Sequence, residues 1–157
     1  MQKITPFLWF DTQAEEAARF YVSIFNNSRI GQIARYGDAG PGPKGQVMTI
    51  AFELDGMKFT ALNGGPIYKF TEAVSLQVDC ADQAEIDRLW AQLTADGGEA
   101  GPCGWLKDRF GLSWQIVPAN MGALVGGDDP AKSQRAMQAM MQMGKLDIAA
   151  LERARAG

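Results

Sequence analysis

Histidine is absent from all 157 residues, and that absence limits the chemistry of this chain more than any residue it contains. Imidazole is the commonest metal ligand and the only side chain whose ordinary pKa lies near neutrality. Ser-His-Asp relays and histidine-based metal centres are therefore excluded. A short set remains. Cys103, between Pro102 and Gly104-Trp105, is a candidate nucleophile that needs an activator other than imidazole, such as Lys107; the alternative is an inert core thiol. Cys80 follows a strand-ending aspartate and reads as structural. Glu53 falls on the strand face turned away from the apolar stripe and is the candidate general base, because partial desolvation makes a carboxylate more basic. The alternative is a solvated glutamate at a rim. Thr60, Asn63, Ser75, Gln77 and Gln115, with Trp105 as an aromatic wall, form the candidate ligand-binding set. Neutral amides and hydroxyls can hydrogen-bond a ligand without the cost of burying a charge, which suits recognition better than acid–base catalysis. Equally, they can satisfy one another or ordered water.

The rest of the composition removes whole classes of partner. A formal charge of −3 and a pI near 4.9 leave no basic footprint for phosphate, so nucleic acid is not an expected partner. No apolar run approaches the roughly 18 residues needed to span a bilayer, and MQKITPFLWF lacks the cationic-then-apolar layout of a secretory leader. The expectation is a cytoplasmic protein with no membrane partner. Two cysteines are too few for a disulfide framework and are expected to be free thiols in a reducing compartment. With 46% apolar residues the chain can bury one substantial core.

The elements that must position the candidate residues come in two similar series. Ile4 to Phe10 reads as a strand buried on both faces. A helix follows, with Thr12 and Glu15 at capping-box spacing and a buried stripe of Ala14, Ala17, Ala18, Tyr21, Ile24 and Phe25. Arg29 to Tyr36 is a strand leading into the loop GDAGPGPKG. From Gln46 to Leu54, Met48, Ile50, Phe52 and Leu54 alternate with Val47, Thr49, Ala51 and Glu53, the period of a strand. Asp55-Gly56 makes a hairpin turn to a partner strand at Met57 to Asn63. The series then repeats. Ala73 to Val78 is a strand, Asp82 and Glu85 restate the capping spacing, and Ile86, Leu89, Trp90 and Leu93 form the second stripe before Gly97-Gly98. Gly104 to Asp108 and Leu112 to Pro118 complete the set, with Lys107-Asp108-Arg109 read as a solvated charge run at a turn.

If Val74, Leu76 and Val78 pack under the second helix, then Ser75 and Gln77 face the opposite side. By the same parity Ser113 and Gln115 face that side, while Trp114 and Ile116 face the helix. Trp9, Trp90 and Trp114 are assigned to helix-facing core. The expected class is α+β, with modules over residues 1–66 and 70–120 that share a concave interior. A helical extension over 128–157 follows, its first helix capped by Asp129-Pro130 and carrying Met137, Met140 and Met141 on one face, its last capped by Asp147.

This duplicated βαβββ pattern, with ITPFLWFDTQAEEAARFY, FTALNGGP, VSLQVDC and CGWLKDRFGLSWQIVP, resembles the PhnB-like branch of the vicinal-oxygen-chelate superfamily, which includes glyoxalases and bleomycin-resistance proteins. The branch is often labelled 3-demethylubiquinone-9 3-methyltransferase-like. The resemblance spans residues 1 to about 120 and extends to MGKLDIAALERA in the tail. It implies a homodimer of paired βαβββ modules forming an open, cup-shaped mixed sheet. In metal-using relatives four inward residues bind a divalent cation, and those places fall near Pro6, Thr60, Ala73 and Gln115 here. None is a histidine or carboxylate, so no metal or other cofactor is expected. The first strand enters its helix without a glycine, against a nucleotide-derived methyl donor bound at a strand-to-helix turn. The leading expectation is a metal-free small-molecule-binding protein. A metal-independent lyase or isomerase using Glu53 or Cys103 is the alternative, ahead of a methyltransferase or a purely structural dimer module.

Overall fold

The computed structural model describes residues 1–157, which divide into two compact units, Met1–Phe70 and Thr71–Gly157. The first contains β1 (Phe7–Phe10), α1 (Ala14–Ile24), β2 (Arg29–Arg35), β3 (Val47–Leu54) and β4 (Met57–Asn63). Its sheet runs β1-β4-β3-β2, with β1 parallel to β4 and the other neighbours antiparallel. The alternation in β3 has the expected consequence: Ile50, Phe52 and Leu54 are buried with Phe59 and Ala61 of β4, facing Ala14, Ala17, Ala18, Tyr21 and Ile24 of α1. Asp55 and Gly56 adopt φ of 47° and 78°, the doubly positive pair that a tight hairpin turn requires.

Two expectations for this unit are corrected. Ile4 and Phe7 are exposed, and the buried parity of β1 belongs to Leu8 and Phe10, so the strand is not covered on both faces. Trp9 shares the parity of Phe7; its indole lies against Gly64, where a Cβ would come within 2.3 Å of the ring, and its Nε1 donates to the Gly65 carbonyl at 2.9 Å. The start of α1 also differs. Gln13 is the N-cap residue with no side-chain cap of its own, and the Ala14 N–H donates instead to Asn63 Oδ1 at 2.8 Å. A carbonyl acceptor delivered from β4 satisfies a donor that Thr12 was expected to serve.

The second unit repeats the topology with β5 (Ser75–Cys80), α2 (Gln83–Thr94), β6 (Glu99–Ala100), β7 (Trp105–Lys107) and β8 (Ser113–Pro118), ordered β5-β8-β7-β6. Here the local capping prediction holds: Asp82 accepts from the Glu85 N–H at 2.9 Å, and Glu85 reaches back to the Ala81 N–H at 2.8 Å. Ile86, Leu89 and Leu93 are fully buried, as are Leu106, Trp114 and Ile116 on the sheet. Val74 lies before β5 and is exposed, so only Leu76 and Val78 represent the expected apolar parity there. Asp108 is not solvated. It is 2% exposed, and its carboxylate accepts from the Phe110 and Leu112 N–H groups at 2.9 and 3.1 Å and from Trp114 Nε1 at 2.8 Å. One carboxylate thus shapes the β7–β8 turn and orients the core tryptophan.

Within this unit α3 (Met121–Val125), α4 (Pro130–Met140) and α5 (Ile148–Ala156) follow the sheet. Asp129 and Asp147 cap α4 and α5 as expected. The tail is tied down by Gln83, whose amide donates to Leu146 O at 2.9 Å and accepts from Ile148 N–H at 2.8 Å, and by the burial of Ala136, Leu146 and Leu151. Met137 and Met141 remain exposed, so the methionine face is not the packed one. No helix is long and apolar enough to cross a membrane.

Candidate functional site

Each unit carries a hollow on the sheet face opposite its first helix. In the first unit a hollow of about 460 Å³ has a floor of small side chains, Gly31, Ala51 and Thr60, with Arg29 and Glu53 at its side. Glu53 is locked in a two-pronged pair with Arg29: Nε to Oε2 and Nη2 to Oε1 are each 3.0 Å. Both carboxylate oxygens are engaged by one guanidinium, and the Glu53 hydrogen bond pushes the Arg29 pKa up. That geometry makes a fixed charge pair rather than an available proton acceptor. Asn63 lies on the parity of Phe59 and Ala61, toward α1. Its Oδ1 caps that helix, its Nδ2 donates to Val47 O at 3.0 Å, and its own carbonyl accepts from the Tyr36 hydroxyl at 2.6 Å. The two ends of its amide are committed to the framework, while Thr60 faces the hollow.

The hollow of the second unit, about 340 Å³, is built by strand register. Lys107 is paired with Glu99 on one side and Ser113 on the other, and Ser113 pairs with Ser75, so Glu99, Lys107, Ser113 and Ser75 form a row across all four strands. Trp105, Gln115 and Gln77 form the next row on the same face. Around the first row, Ala100, Pro102 and Cys103 also border the hollow, and its lining is largely apolar. Lys107 Nζ is ion-paired with Glu72, and this hydrogen bond holds the Glu72 carboxyl below the usual carboxylate range. Ser113 is 1% exposed, and its Oγ is the one buried side-chain nitrogen or oxygen with no hydrogen-bond partner. A buried hydroxyl left unmatched costs about 1–3 kcal/mol, and native structures hold few such groups.

The other expected site residues divide between this hollow and the framework. Gln115 Nε2 donates to Ser75 Oγ at 2.9 Å, so these two candidates pair with each other, while Gln77 Nε2 donates to Asp79 Oδ1 at 2.8 Å. Trp105 lines the hollow. Cys103 also lines it, with φ of 57°, Sγ 3.8 Å from Met141 Sδ and its N–H donating to Met143 O at 2.8 Å. Lys107, its expected activator, is engaged by Glu72. Cys80 is buried, and burial pushes its thiol up to about 12, which suppresses thiolate formation. Ser113 is the residue that sequence reading missed as a site residue. Parity places it on the correct face, but nothing local marks its hydroxyl as unmatched.

The four places that would correspond to a cation site do not fit one. Pro6 supplies a carbonyl already accepting from the Thr60 N–H, Ala73 has no donor side chain, and Gln115 is hydrogen-bonded to Ser75. Divalent transition ions need anionic or imidazole donors, and no three His, Cys, Asp or Glu side chains converge anywhere in the chain.

A family model described as 3-demethylubiquinone-9 3-methyltransferase matches residues 2–117. Among solved structures, the PhnB protein of Bacillus cereus is 38% identical with a TM-score of 0.66, the match covering 74% of this chain and 99% of that one. A protein of Pseudomonas aeruginosa is 22% identical with a TM-score of 0.62, over 75% and 98%. A genomically encoded fosfomycin resistance protein of Listeria monocytogenes is 15% identical with a TM-score of 0.49, over 74% and 92%. No curated protein matches.

Proposed function

From the premise that the chain belongs to the 3-demethylubiquinone-9 3-methyltransferase family, the PhnB-like branch of the vicinal-oxygen-chelate superfamily, we propose that it binds a small organic molecule without metal. The binding place in this reading is the open face of the second sheet. The observation that carries it is Ser113: an unmatched hydroxyl beneath a largely apolar hollow is costly in a protein with nothing to bind and useful in one whose ligand brings the missing partner. A hollow of about 340 Å³ lies at the lower end of small-molecule sites. The family's descriptive name does not carry over as chemistry, since the connection from β1 to α1, Asp11-Thr12-Gln13, offers no glycine for close approach of a nucleotide-derived cofactor. A cytoplasmic homodimer is part of the proposal.

The test uses the Ser113→Ala protein. Removing a hydroxyl that has no partner is expected to stabilise the free protein by about 1 kcal/mol. Compounds from a metabolite panel that raise the melting temperature of the parent are expected to lose most of that effect in the variant. A variant less stable than the parent, or equal stabilisation of both by every active compound, would refute the role given to Ser113. A panel without a single stabilising compound would overturn ligand binding.

A further inference from the structure

We propose that the hollow of the second unit takes a ligand with an apolar, ring-bearing body and a protonated amine, the amine seated against Glu99. This inference rests on the reading of that hollow as a binding site and names the chemical class it selects. Three ionised side chains reach the hollow: Glu72, Glu99 and Lys107. Glu99 stands directly opposite Lys107 in the β6–β7 register, yet the ammonium of Lys107 is taken by Glu72. Glu99 acts on Lys107 only at longer range and has no hydrogen-bonded or ion-paired partner of its own. The local charge is therefore one carboxylate in excess.

An anionic ligand would meet two carboxylates and an ammonium already engaged. A neutral ligand could donate a hydrogen bond to Glu99 but would leave its charge uncompensated. A cation would find the unpaired carboxylate, with Trp105 lining the same hollow as an aromatic neighbour. Acidic residues near a hollow would not suffice alone. The independent observation is Ser113, a buried polar group with no partner in the same row of the sheet, which gives the body of the ligand one hydrogen bond below the amine. Ala100 and Pro102 complete an apolar wall for a ring.

The experiment measures binding of three isosteric probes to the full chain by calorimetry at neutral pH and low salt: 2-naphthylmethylamine, 2-naphthylmethanol and 2-naphthoate. The amine is expected to bind about three- to tenfold tighter than the alcohol, the range for a partly exposed charge contact with an aromatic neighbour. The carboxylate is expected to bind most weakly, and added salt should narrow the gap between amine and alcohol. In Glu99→Gln the amine should fall to the affinity of the alcohol. An unchanged gap in that variant, equal affinities of all three probes, or tightest binding of naphthoate would each overturn the inference while leaving the binding site in place. If no probe binds but other compounds stabilise the parent through Ser113, the charge preference alone falls. If nothing binds at all, the site falls with it.

Discussion

Replacing Asp108 by alanine removes one carboxylate and orphans three donors at once. The Leu112 N–H and the Trp114 Nε1–H are buried and cannot recruit water, whereas the Phe110 N–H is only partly buried and can. Two stranded donors at about 1–3 kcal/mol each put the loss near 4 kcal/mol. Against a typical total of about 5–15 kcal/mol, that is a large share of the stability of a domain. Asp108→Asn keeps an acceptor for the backbone donors but turns an amide N–H₂ toward the indole N–H, so an intermediate loss of about 2 kcal/mol is expected. Urea unfolding followed by tryptophan fluorescence measures both, with a shift of midpoint at unchanged slope as the sign of a pure stability effect. Because the turn sets Lys107 opposite Ser113, ligand-induced stabilisation should fall in parallel. An alanine variant within about 1 kcal/mol of the parent would refute the assignment of Asp108 as the keystone of this turn.

Two further outcomes follow from the framework. Asn63→Ala should cost about 1–2 kcal/mol in chemical denaturation, through the lost cap on α1 and the lost bond to Val47. Asn63→Asp retains the capping oxygen but turns a carboxylate oxygen toward the Val47 carbonyl, so it should recover only the capping share of that loss. Cys80 should be inert toward a disulfide reagent in the native protein, where Cys103 reacts alone, and should become titratable only on unfolding. Its folded pKa of about 12 stands above the ordinary 9.0, so the native state holds the proton more tightly. Its contribution to stability is complete below about pH 9 and is lost as pH rises toward 12. A Cys80→Ala protein should show a flatter alkaline decline, and equal reaction rates of the two thiols would contradict its burial.

What could be read from the sequence was whatever local spacing determines. The two-residue period of β3, the Asp55-Gly56 turn, the stripes of α1 and α2, the capping residues Asp82, Asp129 and Asp147, and the duplication all depend on neighbours a few positions apart. The misreadings share the opposite property. Asn63 caps a helix that begins 49 residues earlier, so no spacing rule near Thr12 could reveal it. Asp108 looks like part of a charge run until the chain folds a tryptophan six residues later back onto it. Val74 and Phe7 have the apolar character of core residues but lie where no helix covers them. The same distinction applies to the site: parity assigns Ser113 and Gln115 to one face, but only the folded chain gives Gln115 a partner and leaves Ser113 without one.

The irregular pairing of β2 bears on how the protein behaves when crowded. This strand ends its sheet, bonded to β3 alone, and its register slips between Ile30 and Ile33 and again between Ala34 and Arg35, with an arginine at each end. A free strand edge ordinarily offers a template on which another molecule can zip a continuous ladder. Here an approaching strand would lose step twice within seven residues and meet like charge at both ends. Fibre growth from this edge is thereby discouraged, and changes that even out the ladder or neutralise Arg29 and Arg35 would turn a quiet border into a seed for aggregation.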